Sequence, residues 1–426
     1  MKKTHKKVIV EIARILLGVV FIFSGFVKAV DPLGGAYKIV EYFSAFDLRD
    51  FNNWATPLSI LQAAVEFGVG VCLLLGVYRK VTGILAFLIM LFMTPLTLFL
   101  AISNPVTDCG CFGDAWVISN WQTFFKNIIL IIAAFIVFIW YPRMTPLFSR
   151  KAYFSVTLWI YLFIIGLSFY CYYFLPVFDF RPYKIGVNIP QKMQIPEDAE
   201  HDVYDVRLIY SKDGEHKEFT LENYPKDDTT WTFVNSKSHL IKKGYQPPIH
   251  DFSITGDKGN DITDVVLSDT SYTFLLIANK LKTANDANVD KINDIYEFAK
   301  TKNYNFYALT SSLPSEIQEW IENTGAEYPF CTMDDITLKT IIRSNPGLLL
   351  IKNGTIINKW PNTRLPNQEE LLIMTDASRP ENVPTINNLL NLIILTGIFL
   401  VPLILFYLLD WSVFKKPKKL RRKDLS

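Results

Sequence analysis

Two cysteines one residue apart, in "TDCGCFGD" at residues 107–114, are the side chains of this sequence best placed to do chemistry. Such a pair can exchange electrons as dithiol and disulfide, supply two metal ligands, or tie a turn. A bond closed across Cys109, Gly110 and Cys111 hardly reaches the usual disulfide dihedral and Cα separation, so it is strained and inclined to accept electrons. Gly110 and Gly113 permit the positive φ and close backbone approach that so tight a loop needs. Asp108 and Asp114 flank the thiols and should raise their pKa values, so reactivity calls for a nearby cation or helix terminus. Metal binding would need more Cys or His ligands, yet the histidines are His5, His201, His216, His239 and His250, none of them near this loop. A static tie remains the plain alternative. Its candidate partner is Cys171, at similar membrane depth, whereas Cys72 lies roughly 20 Å deeper by helix rise.

Two charges inside apolar stretches also invite a functional reading. Glu66, in "QAAVEFGVG", and Arg14, in "EIARILLG", differ in depth by an amount an arginine can span, and buried charges seek partners. They are expected to pair as a structural lock or as a proton or quinone site, with Glu11 competing for the guanidinium one turn away. Lys28 and Asp31 fall at the membrane surface, where snorkelling makes them cheap. Lysine plus arginine (43) nearly balances aspartate plus glutamate (41), so nothing suggests a nucleic-acid partner. Phosphate loops, catalytic-serine motifs and zinc spacings are absent from the sequence.

These residues must be positioned by membrane helices. Half of the residues are hydrophobic, and six stretches are long and apolar enough to cross a bilayer: Val8 to Val27, Leu58 to Tyr78, Val81 to Ser103, Trp121 to Tyr141, Phe154 to Leu175 and Leu389 to Trp411. "MKKTHKK", "YRK", "YPRMTPLFSRK" and the basic tail all fall on one side, which the positive-inside rule makes cytoplasmic. The loop 28–56, the cysteine loop and residues 179–385 then face outward, into the periplasm of a double-membrane bacterium, where disulfides persist. The organisation expected is a transmembrane bundle at 1–150, a fifth span at 151–178, a β-rich outer segment at 179–247, an outer α/β domain at 248–382, and a last span with its tail at 383–426.

The bundle resembles the DoxX/MauE family of four-helix membrane proteins, on "RILLGVVFIFSGFVKAVDP", on the mid-helix glutamate of "LQAAVEFGVGVCLLLGVYRK" and on "CGCFGD", all between residues 8 and 141. That resemblance implies an inner-membrane protein linked to disulfide formation or to quinone-coupled oxidation, with a thiol or disulfide client in the envelope. A non-enzymatic anchor that recruits envelope partners is the rival, and transport of a small solute is a third reading with only Glu66 and Arg14 in its favour.

In the polar segment, "YDVRLIYSKDGEHKEFTL" alternates around Asp213-Gly214 as a hairpin. From residue 248 on, strands at "TFLLIA" and "YNFYALTSS" alternate with helices at "VDKINDIYEFAKTKN" and "PSEIQEWIENTG", and a hairpin turns at Asn353-Gly354. This order looks like a thioredoxin-like fold of the TlpA and peroxiredoxin-related branch, with Pro346 at that family's cis-proline position. The family's Cys-x-x-Cys is replaced by "NKLKTANDAN", and Cys331, the domain's one thiol, is expected to be inert. Pro346 thus marks a candidate partner-binding edge, for an extended polypeptide or for the cysteine loop itself.

Overall fold

The computed structural model describes residues 3–200, 203–226, 228–242, 244–376 and 388–415. Six helices among them are long and apolar enough to cross a membrane, and this is a multi-pass membrane protein. The first four spans are α1 (Lys3–Val30), α3 (Ala55–Leu75), α4 (Arg79–Ser103) and α5 (Asn120–Trp140), with α2 (Pro32–Ala45) lying between α1 and α3. The fifth is α6 (Tyr153–Tyr173). The basic tail beyond residue 415 lies outside the described residues.

Close approach of α1 and α3 organises the bundle. A Cβ on Gly25 would sit 2.4 Å from the backbone nitrogen of Phe67, and one on Gly70 would sit 2.7 Å from that of Ile22. Small residues let the two backbones touch, which is the usual basis of helix association where lipid removes the hydrophobic drive. Leu17, Phe21, Val69 and Leu73 fill the seam towards the basic end, against Ala134 and Val137 of α5. The loop 28–56 is thus not irregular. Asp31 caps α2 by accepting from Gly34 N at 2.9 Å, Pro32 fixes the first turn, and the helix lies across the bundle end that carries the cysteine loop.

Beyond α6 come a short α7 (Ile189–Met193) and a three-stranded antiparallel sheet of β1 (Val203–Lys212), β2 (Glu215–Thr220) and β3 (Thr232–Lys242), in the order β2-β1-β3. Its hairpin turns at Asp213-Gly214, both at positive φ. An α/β domain follows as α8 (Thr263–Leu267), β4 (Tyr272–Ile277), α9 (Val289–Thr301), β5 (Asn305–Thr310), α10 (Pro314–Thr324), β6 (Phe330–Thr332), α11 (Asp335–Ile341), β7 (Gly347–Lys352), β8 (Thr355–Pro361) and α12 (Gln368–Met374). The last span is α13 (Asn388–Asp410), packed on α6 through the Trp159 indole, which donates to Phe399 O at 3.1 Å.

The five-stranded sheet runs β6-β5-β4-β7-β8, parallel among β4, β5 and β6 and antiparallel at β7 and β8. Alternation sends Phe274 and Leu276 to one face, with Ile292 and Trp320, and Leu275 and Ile277 to the other, with Ile254 and Leu338. A sheet covered on both faces explains why its strands read as unbroken apolar runs. Strand order and the cis Asn345-Pro346 peptide just before β7 make this domain thioredoxin-like.

Candidate functional site at the cysteine loop

The loop between α4 and α5 folds back over the bundle end. Gly110 and Gly113 both take positive φ, and Gly110 N donates to Asp108 Oδ1 at 2.7 Å. This turn brings the Cys109 and Cys111 sulfurs to 2.9 Å, within reach of a shared hydrogen, with Cys109 buried and Cys111 partly so. Either sulfur can donate in this contact, and the hydrogen bond, helped against burial by the cations Lys126 and Lys28, draws the Cys111 thiol down to about 6. Cys109 is correspondingly pushed up, by that same hydrogen bond and by burial. The flanking aspartates do not suppress the thiolate, because each has its own cation. Asp108 pairs with Lys38 at 3.0 Å and Asp114 with Arg343 at 3.0 Å.

Under the loop lies a buried polar group built by α1 and α3. Lys28 Nζ stands 2.7 Å from Glu66 Oε2, donates to Ser24 Oγ at 2.8 Å, and donates to the carbonyl oxygen of Cys111 at 3.1 Å. Ser24 Oγ is 2.6 Å from that carbonyl and 2.7 Å from Glu66 Oε2, and Gln62 donates to Glu66 Oε1 at 2.9 Å. The Tyr42 hydroxyl of α2 donates to the Cys109 carbonyl at 3.0 Å.

Three cavities share Lys28 in their walls. An apolar groove of about 620 Å³ between α2, α3 and α4 is lined by Cys109, Tyr42, Gln62 and Glu66 among aliphatic and aromatic side chains. A void of about 40 Å³ lies beside Cys111, Lys126 and Phe21. A polar chamber of about 110 Å³ lies above, walled by Asp31, Lys38, Asp108, Asp114 and Arg181.

Linker residues Pro176, Phe178, Phe180 and Arg181 close that chamber, and the α/β domain docks beside it. Arg343, three residues before Pro346, reaches from the end of α11 to Asp31 at 2.9 Å as well as to Asp114, and its guanidinium lies 5.3 Å from the Tyr37 ring centre. Burial opposes ionisation of Asp31, but Arg343 and Arg181 hold its carboxyl below the usual 3.8. Asp179 repeats this on the linker, held down against burial by Lys359 and Arg181.

Residues 6–140 match the family described as methylamine utilisation protein MauE. The MauE-like part therefore contains α1 to α5 and the whole cysteine loop, while residues 204–243 match a domain of unknown function, DUF8463. No curated protein matches the chain. Two solution structures are similar to it. One, a provisionally assigned protein disulfide isomerase from Bacteroides thetaiotaomicron, is 17% identical and covers 30% of this chain and 84% of its own, with a TM-score of 0.24. The other, a provisionally assigned thioredoxin from Neisseria meningitidis, is 17% identical and covers 31% and 89%, with a TM-score of 0.26.

The MauE-like bundle corrects several expectations. Glu66 does not pair with Arg14. Arg14 turns to Glu11 at 2.5 Å and donates to Thr145 O at 2.8 Å, at the basic end, because the apolar seam separates it from Glu66. Arg14 therefore has no place in a site with Glu66. Lys28 is not a surface snorkeller but the buried partner that Glu66 requires. Cys171 is free and packs among α3, α6 and α13 side chains, apart from the group that holds Cys109. Cys331 lies buried in β6, where burial pushes its thiol up to about 11. Pro346 follows Arg343 by three residues, and it is Arg343, with Lys339 and Thr363, that reaches the membrane helices. Ser24, Tyr42, Lys126 and Arg343 carry no mark in the sequence, and Lys28 reads there only as a surface residue. The spacing of Ser24 and Lys28, one helical turn apart on the face of Gly25, was the available signal.

Proposed function

We propose that this membrane protein uses Cys109 and Cys111 as a dithiol–disulfide pair at the extracytoplasmic face of a bacterial inner membrane, exchanging electrons between an envelope client and a membrane quinone. The observation that supports this most is the thiol pair at 2.9 Å whose buried member, Cys109, also lines the large apolar groove. Oxidation of the pair forms one sulfur–sulfur bond and releases two protons and two electrons. The groove suits an isoprenoid-tailed acceptor. Ile39, Phe43, Leu88 and Phe92 offer apolar walls, and Gln62 and Glu66 offer the polar contacts a ring would need. When bound, a quinone supplies acceptance of both electrons and both protons. This chain's part is to hold the sulfurs together, to keep one as thiolate and to exclude bulk water from the groove side.

Orientation follows from charge. Arg14, Arg79 and the neighbouring backbone at residues 142–145 gather at the end opposite the cysteine loop, and that basic end is read as cytoplasmic.

The test is intact-mass measurement of the purified full chain titrated with reduced and oxidised dithiothreitol. A reversible loss of two hydrogens is expected in the wild type and not in Cys109→Ala or Cys111→Ala. A short-chain benzoquinone should restore the oxidised mass after reduction. If the wild-type mass never changes, the pair is no exchange centre and the protein acts as an anchor for partners.

A further inference from the structure

The cysteine pair is asymmetric in what holds it. The Cys109 carbonyl takes one hydrogen bond from a neutral phenol, whereas the Cys111 carbonyl meets the ammonium of Lys28 and the hydroxyl of Ser24. Lys28 is fixed in turn. Its side chain is 8% exposed, it is paired with Glu66 from α3, and it cannot leave without stranding that carboxylate in the bundle. We propose that Lys28, held by Ser24 and Glu66, is the positioning residue that makes Cys111 the reactive sulfur of the pair.

This rests on the exchange reading above. In one direction the Cys111 thiolate attacks a client disulfide, forming a Cys111–client bond and releasing the client's other sulfur as thiolate. Cys109, losing its proton, then attacks the Cys111 sulfur, so the client gains two electrons and the pair loses them. Other charged groups face this centre from every side and set the background against which Lys28 acts. They are Lys126 of α5, Glu66 of α3, Lys38 of α2 with Asp108, and Asp31 and Asp114 with Arg343 of the α/β domain.

The experiment is iodoacetamide labelling of the reduced full chain in detergent over a range of pH, with Cys109 and Cys111 resolved by peptide mass. In the wild type, Cys111 should label first with a midpoint of about 6. Lys28→Met should raise the midpoint by about one pH unit, so that labelling near pH 5 falls roughly tenfold while labelling in alkali is unchanged. Glu66→Gln should move it the opposite way, and Lys28→Arg should restore it. Lys28→Met leaves Glu66 unpartnered; if that variant does not fold, Glu66→Gln carries the test. Preferential labelling of Cys109, or a midpoint that neither substitution moves, overturns the assignment. If the midpoint moves as expected but the pair shows no reversible two-hydrogen change, the exchange reading falls while the positioning role of Lys28 stands.

Discussion

A Gly25→Ala variant places a methyl group where α1 and α3 touch. The new Cβ would lie 2.4 Å from Phe67 N and 2.7 Å from Ala63 O, both backbone atoms of a helix that cannot fold out of the way. Ordinary contact starts near 3.4 Å, so the helices must separate by about 1 Å. Ser24 is the preceding residue and Lys28 lies three residues on. Their contacts with Glu66 of α3, both now 2.7 Å, would pass beyond hydrogen-bond reach. Alanine gains about 1 kcal/mol over glycine as a helix former. Against this stand about 1–3 kcal/mol for overpacking and about 1.5–3 kcal/mol for a lost charged hydrogen bond. The expected net loss is about 1.5–5 kcal/mol. Unfolding in detergent reads the stability, and iodoacetamide labelling of Cys111 should show a raised midpoint in the same sample. Gly166→Ala in α6 is the control, because nothing lies within 4 Å of its added Cβ, and it should be neutral or slightly stabilising. A Gly25→Ala protein as stable as the control, with Cys111 unchanged, would refute the claim that helix approach builds the site.

Three other outcomes are expected. Arg343→Met strands the part-buried Asp31 and should cost up to about 3 kcal/mol in docking of the α/β domain, read as faster hydrogen exchange in α2 and residues 341–346. Asp31's depressed carboxyl makes that contact fully stabilising above its ordinary value of 3.8 and progressively weaker as pH falls below it, a dependence that Arg343→Met should abolish. Cys331, pushed up to about 11, should resist alkylation in the native protein at neutral pH, and Cys331→Ala should leave the redox titration of the loop unchanged. Ile39→Trp fills the apolar groove and should slow reoxidation by a short-chain benzoquinone roughly tenfold without altering the dithiothreitol titration.

The sequence alone determined the elements whose cause is local. Apolar length made six spans recognisable, Asp213-Gly214 and Asn353-Gly354 fixed two hairpins through positive φ, and alternating strands and amphipathic helices announced the thioredoxin-like order. It also singled out the cysteine pair and Glu66, because a close thiol pair and a charge at mid-membrane stand out in any context. Helix α2 could have been found from its aspartate cap and first-turn proline, but its mixed composition hid it. What only the tertiary structure decided was the choice of partners. Depth along a helix does not give rotation about its axis. Arg14 looked able to meet Glu66 and Lys28 looked like a surface residue, but the contact at Gly25 and Gly70 turned Lys28 inward while the seam kept Arg14 at the basic end. Arg343 lies 229 residues beyond Asp114 in the chain, so no local pattern could link them. Their ion pair exists because the α/β domain lands on the cysteine loop.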